Sequence, residues 1–558
     1  MSLTTAAKAK HPRGLYVLFL TEMWERFAYY LLAGILLLYL KDDQTGGKGI
    51  PESTAADITG TFLALIWLPL FVGGMIADRY LGYVKSIFIG GSLLAAGYLG
   101  LILPGNTAMY ISLGLIIVGN GFFKPNISTL LGNIYNKEEL KPLKDNAYNI
   151  FYMGINVGAL LCNFAAAYLR NKYSWGWAFG AAGVGMIIGL IVFGLNLKHI
   201  RMGDVRRPPQ KEDMGLGGMA TYVFAPAIVA AIIGFYLPGK LFHSTLMGSP
   251  SSDAFVFACI PIIGFFVSIW MKANKEDKRG IGALLYMFAV SVIFWALYYQ
   301  IFTAYTLWID KHTDRTISSE VVRRGADKLG LMQSVSINPR PVDSVNAELE
   351  PVVAGGHVLR TTGPDPYFNN VPKDKWPPQG QDVKVANPEL YTSIVPFFIV
   401  SLTPLLVWLL SWLRKRGKEP TTPGKFGIAL LLSGVSSLVM FFAVISVPSI
   451  YHYKVSPGWL WGTYFVICSA EICLSPMGLS LVSKLAPPRL TALLMGGFFL
   501  TMSLGSKLAG LMTSSWGKFP DKRVYFILWL IAGVIGSALI FSRIKSLNSI
   551  VKEKTGEA

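Results

Sequence analysis

The sequence predicts an all-α membrane protein with about 14 transmembrane helices, on three observations. Of its 558 residues, 53% are hydrophobic and 15% charged, and the mean hydropathy is +0.47, too apolar for an ordinary soluble chain. The apolar residues fall in continuous runs of about twenty, which excludes the shorter, alternating strands of a membrane barrel. The basic residues behind the net charge of +18 gather in every second interval between those runs.

The apolar runs lie at 14–40, 54–77, 84–103, 108–132, 147–169, 175–197, 217–238, 253–271, 281–309, 390–413, 424–448, 458–483, 490–515 and 523–543. Each reads as one helical span. The basic clusters are Lys8, Lys10 and Arg13, then Lys137, Lys141 and Lys144, then Lys198, Arg201, Arg206, Arg207 and Lys211, then Lys272, Lys275, Lys278 and Arg279, then Arg414, Lys415, Arg416, Lys418 and Lys425, and finally the C-terminal tail. That alternation follows the positive-inside rule and places both termini in the cytoplasm of a multi-pass protein of the plasma or inner membrane. The charge therefore reports topology, and no nucleic acid partner is expected. The N-terminus has no cleavable signal pattern, so the first span is expected to direct its own insertion. Cys162, Cys259, Cys468 and Cys473 all fall inside apolar runs, which implies no disulfide framework. The six histidines lie in loops or at span ends, so neither a zinc site nor another cofactor site is expected.

The runs group as six, two and six. The expected organisation is a cytoplasmic tail at 1–13, a six-helix bundle at 14–197, cytoplasmic linkers with two extra helices at 198–280, a second six-helix bundle at 281–545 and a cytoplasmic tail at 546–558. Pro69 with Gly73 and Gly74, Pro125, Pro396 and Pro476 are expected to bend helices around a cavity. The segment 311–386 is polar, rich in Pro and Gly, and without an apolar run. It reads as a loop domain or a disordered loop on the outer side, leaving open a lid, a partner-binding patch or a tolerated insertion.

The stretch TEMWERFAYY sits near the start of the first run and carries Glu22, Glu25 and Arg26. An ionised side chain within a bilayer costs about 3 kcal/mol or more, so such residues face a cavity or a partner. At 100° per residue, Glu22, Glu25, Arg26, Tyr29 and Tyr30 share an arc of about 140°. Glu22 and Arg26 form an i,i+4 pair, which lowers the cost of burial without explaining the cluster. A site for a charged substrate or a proton is the expectation.

These residues resemble the ExxERFxYY signature of the proton-coupled oligopeptide transporter family of the major facilitator superfamily. GGMIADRYLG, with Asp78 and Arg79, resembles the family's loop motif after its second helix. KPN, with Lys124, resembles its fourth helix, FYMGINVGALL, with Asn156, its fifth, and SAEICLSPMGLS, with Glu471 and Pro476, its tenth. The resemblance implies a major facilitator fold of two six-helix bundles plus two extra helices, acting as a monomer that imports di- and tripeptides with protons by alternating access, with protons as the coupling ion. A peptide is a zwitterion. Arg26 and Lys124 suit its carboxylate, Glu471 suits its ammonium, Tyr29, Tyr30 and Asn156 suit its amide, and Trp295 walls a side-chain pocket. Glu22 and Glu25, beside Arg26, are the candidates for proton coupling.

The chain departs from the family at several points. The seventh-helix pattern FWAxFEQ appears as FWALYYQ, with Tyr299 where an acid is usual. Val395 replaces an Asn, Phe498 a Trp and Trp67 a Tyr. The pocket is therefore expected to be more apolar on the second-bundle side. Lys124, without its usual acid, is expected to turn neutral, to find Glu22 or Glu25, or to use the substrate carboxylate as its counter-charge. Transport of another acid such as nitrate or a modified peptide, and a receptor or scaffold acting through 311–386, are the alternatives. No nucleophile, metal cluster or nucleotide loop points to an enzyme.

Overall fold

In a computed structural model of the chain, the described residues are 10–42, 44–205, 215–487 and 490–555. Thirteen helices among them are long and apolar enough to cross a membrane. The run expected at 84–103 is the 18-residue helix Tyr83–Gly100, which Lys85 and its glycines leave short of that apolarity. Lys8, Arg206, Arg207 and Lys211 lie outside the described residues. Within lipid each helix must satisfy its own polar groups. The hydroxyls of Thr21, Thr59, Ser291 and Thr463 do so by bonding back to the carbonyl four residues earlier, at 2.7–2.9 Å.

The chain divides into two compact units. The first comprises Met1–Leu32, Pro69–Ala166 and Gly176–Lys211, and the second Ala33–Leu68, Ala167–Trp175 and Glu212–Ala558. The first helix, Arg13–Lys41, therefore passes from one unit to the other. The second span divides at the same boundary: the helix Glu52–Leu65 ends, and a new one, Leu70–Ile76, begins after Pro69. Proline lacks the N–H that would continue the ladder.

In the first unit, Tyr83–Gly100 packs closely on Asn106–Ile134. A Cβ on Gly90 would lie 2.7 Å from the Gly119 carbonyl oxygen, so only glycine permits this approach. Asp78 and Arg79 sit in a π-helical turn, Ala77–Leu81, that Gly82 ends at φ +82°. The Asp204 carboxylate then caps the next helix, accepting from the Tyr83 and Val84 N–H groups at 2.7 and 3.3 Å. Pro125 lies inside the continuous helix Asn106–Ile134. The Asn126 side chain bonds the Phe122 carbonyl there at 2.7 Å.

In the second unit, Pro396 sits in the first turn of Ile394–Lys415, just after the 3-10 segment Pro388–Ser393, where proline is tolerated. Pro476, whose side chain lies outside the described residues, falls in the continuous helix Gly458–Leu485. The segment 311–386 is a folded loop domain, which removes the disordered alternative. It contains a helix, Glu320–Lys328, and three antiparallel strand pairs: Met332–Ser336 with Asp382–Ala386, Arg340–Asp343 with Arg360–Gly363, and Val353–Ala354 with His357–Val358. Its core is Val335, Tyr367, Phe368 and Val385.

Cations anchor this domain. Arg315, fully buried, donates to the Ala386 carbonyl at 3.0 Å. The Lys454 ammonium donates to the Lys311 carbonyl at 2.7 Å and lies 4.3 Å from the centre of the Tyr367 ring. Burial, with the neighbouring Arg315 charge, pushes the Lys454 ammonium down to about 7. Glu350 bonds Lys311 at 3.1 Å and Lys522 at 3.2 Å, while Lys311 also meets Glu52 at 2.7 Å and Lys41 meets Asp310 at 2.7 Å.

Candidate functional site

The charged residues of the first unit form a quartet. Arg26 donates to both oxygens of Glu25, from Nε at 2.5 Å and from Nη2 at 2.6 Å. This two-pronged bond is the strong geometry for a guanidinium and a carboxylate. Lys124 Nζ meets Glu22 Oε1 at 2.5 Å. Glu22 stands 3.7 Å from Arg26, so the i,i+4 pair read from the sequence is the weaker contact and Glu25 is the partner of Arg26. Lys124 therefore does not lack an acid. It takes Glu22, one of the two candidates.

Two cations and two anions thus balance in a nearly dry site, where Glu22, Glu25 and Arg26 are at most 3% exposed. One atom is left over. Glu22 Oε2 is buried without a hydrogen-bond partner, and a carboxylate oxygen in that position marks a place for water, a proton or a ligand. The Arg26 guanidinium also lies 4.6 Å from the centre of the Tyr29 ring and 5.9 Å from that of Tyr30. The two phenols therefore frame the cation.

Asn120 was not singled out in the sequence. One helical turn before Lys124, it accepts from Arg26 at 3.4 Å. Its spacing from Lys124 was the available signal. Asn156 is buried on Lys144–Lys172, and its side-chain amide donates to the Tyr152 carbonyl at 3.0 Å. That donor is committed to its own helix.

In the second unit three of the departures from the family pattern, Trp67, Tyr299 and Phe498, join one aromatic set. Trp295 packs on Tyr299 with ring centres 6.1 Å apart and on Phe498 at 6.3 Å, while Trp67 stacks on Phe499 at 6.2 Å, next to Phe498 in sequence and packing. Trp67 therefore joins this wall through Phe499, which sequence reasoning missed. The Val395 carbonyl meets the Cys468 thiol at 3.7 Å. Glu471 accepts a hydrogen bond from Tyr298, the residue before the substituted Tyr299, and its Oε2 is buried without a partner. The indole Nε1 of Trp295 is also buried without one. Around these residues the unit thus offers an apolar wall and, in Glu471, an under-satisfied acid.

The sequence profile of the POT family (PTR2) matches residues 84–323 and 383–528. The chain belongs to the POT family. The matched ranges leave out 324–382, most of the loop domain. An uncharacterized transporter, YclF, of Bacillus subtilis is 31% identical over 95% of this chain and 93% of its own length. A di-/tripeptide transporter of Lactococcus lactis subsp. lactis is 27% identical over 95% of this chain and 94% of its own. A crystal structure of a peptide transporter POT in complex with alafosfalin superimposes with a TM-score of 0.73 at 27% identity, covering 97% of this chain and 96% of that one. The POT chain described here is therefore an all-α membrane protein of the major facilitator fold, and a member of a transporter family.

Proposed function

We propose that this chain is a proton-coupled symporter that imports di- and tripeptides by alternating access. The observation that carries this reading is the quartet Glu22, Glu25, Arg26 and Lys124: balanced charges with one carboxylate oxygen left unbonded. A substrate carboxylate arriving at Arg26 competes with Glu25, and a carboxylate that loses its counter-ion takes up a proton more readily. Binding and proton uptake are coupled in that exchange. Glu22 receives the same treatment at Lys124.

Glu471 is assigned to the substrate's amino group, because its open oxygen is acceptor-only when ionised. The aromatic wall of Trp67, Trp295, Tyr299, Phe498 and Phe499 favours apolar side chains over charged ones. The similarity to a di-/tripeptide transporter and to a peptide transporter of known structure supports this cargo over nitrate or a receptor role. We assign the protein to the plasma or inner membrane, with both termini cytoplasmic, protons as its coupling ion, no resident cofactor and a monomer as the working unit.

Uptake into liposomes with imposed pH and voltage gradients tests the reading. An inward proton gradient is expected to accelerate entry of a labelled dipeptide, with unlabelled peptides competing. No flux across a broad peptide library, alongside proton-driven flux of another acid, overturns it.

A further inference from the structure

Asp57 and Lys507 form a buried ion pair that the peptide reading leaves unused. Asp57 lies in Glu52–Leu65 and Lys507 in Thr491–Ser514. Their side chains are 8% and 2% exposed, and Lys507 Nζ meets Asp57 Oδ1 at 2.6 Å. Three hydroxyls converge on the same carboxylate from the turn that opens the helix Pro250–Lys272: Ser249 at 2.7 Å, Ser251 at 2.8 Å and Ser252 at 2.6 Å. With Lys507, these donors fill the four acceptor positions a carboxylate offers.

The remaining charged and polar groups nearby are engaged elsewhere. Asp253 accepts the Leu246 and Met247 N–H groups at 2.9 and 2.7 Å. Glu52, on Asp57's own helix, is held by Lys311 and Lys41. Thr61 takes a second N–H of Lys507 at 2.6 Å.

The donor set has an uneven chemistry. An ammonium only donates and carries a full charge, so Lys507 is matched best to the ionised form of Asp57, which accepts at both oxygens and attracts it, whereas the neutral acid does neither in full. A serine hydroxyl donates or accepts, so the three serines serve both protonation states, one of them turning to accept from the neutral acid. The pair also spans a tight helix seam. A Cβ on Gly60 or on Gly510 would lie 2.5 Å from the other's Cα, and Ser503 bonds the Ala64 carbonyl at 2.8 Å. Beyond these contacts, Phe255 and Cys259 pack on Ala64.

We propose that Asp57 is a proton-binding site that controls this seam. A proton taken from water by the Asp57 carboxylate cancels its attraction for Lys507, which stays an ammonium, and lets Glu52–Leu65 part from Thr491–Ser514. Loss of that proton draws Lys507 back and closes the seam. The serines keep the acid solvated through both steps, which gives the extra helix Pro250–Lys272 a task. Because the parted form binds the proton more tightly, acid favours it, by at most about tenfold per pH unit for one proton.

The test needs no cargo, so its failure is distinct from failure of the peptide reading. The full chain in liposomes carries Ala56→Cys or, separately, Ala509→Cys, both fully buried on the two helices that form the seam. A membrane-impermeant maleimide is added between pH 5.5 and 8, with the parent chain giving the background from its native cysteines. Labelling is expected to rise as pH falls. Asp57→Asn is expected to label fast at every pH, and Lys507→Gln to do the same should the first variant fold poorly. Replacing all three serines by alanine is expected to shift the midpoint to higher pH, because the ionised acid loses three hydrogen-bond donors. An unchanged pH profile in Asp57→Asn, or pH-independent labelling of both cysteine variants, overturns the proposal.

Discussion

Glu25→Gln removes the carboxylate that takes both N–H groups of Arg26 at 2.5 and 2.6 Å. A glutamine accepts at one atom and presents a donor at the other. Taking one member out of a buried ion pair costs about 3–5 kcal/mol, because the remaining charge is left uncompensated. Here Glu22, 3.7 Å from Arg26, retains a gross attraction of about 4 kcal/mol at an effective dielectric of about 20. It is shared with Lys124, however, so a net cost near the lower limit, about 3 kcal/mol, is expected. A substrate carboxylate then becomes the best available anion for Arg26. If binding recovers about 1.4 kcal/mol of the cost, the KM for peptide exchange falls about tenfold. Accumulation should fail at the same time, since Glu25 no longer takes a proton. The assay compares exchange between equal pools with uptake driven by an inward proton gradient, in the same liposomes. Accumulation at the parent level, or exchange lost while the melting temperature is unchanged, refutes the reasoning.

Lys124→Ala leaves Glu22 as a buried charge without its 2.5 Å partner and is expected to abolish uptake; normal uptake at every pH would make Lys124 a bystander. Glu471→Gln keeps shape and the Tyr298 contact while removing charge, so binding competition should discriminate less between free-amine and N-acetylated peptides. Lys454, pushed down to about 7 by burial and by Arg315, binds fewer protons folded than unfolded between about pH 7 and its ordinary value of about 10.4. Docking of the loop domain should therefore strengthen as pH rises above 7 and stay level below it. Hydrogen exchange across 313–393 measures this, and Lys454→Met should flatten the dependence.

The helices were legible because lipid imposes one rule, a continuous apolar run for each span, and the observed helices start and stop within a few residues of those runs. Tyr83–Gly100 is marginal because Lys85 and several glycines dilute it. The loop domain was illegible beyond its existence. Its strands are two to five residues long and its core is four side chains, too little for any periodicity to register. In the quartet, the helical wheel identified which residues share a face but not which ones reach each other. Glu22 bonds Lys124, 102 positions away, and only packing decides that. Tyr298 and Phe499 went unnoticed because each reads as one more aromatic in an apolar run. Asp57 and Lys507 each carry the signal of a charge inside a span, but they lie 450 positions apart and only packing pairs them.

The two ends of the loop domain meet. The Ala386 N–H donates to the Arg315 carbonyl at 2.8 Å, and the last strand pairs with the first from Met332↔Ala386 onward. An insert whose entry and exit are hydrogen-bonded neighbours leaves no gap in its host when it is cut out. The chain between Arg315 and Ala386 is thus a graft point. A fluorescent reporter or a binding module of similar end-to-end spacing fits there, provided a carboxylate is supplied where Glu350 now balances Lys311 and Lys522.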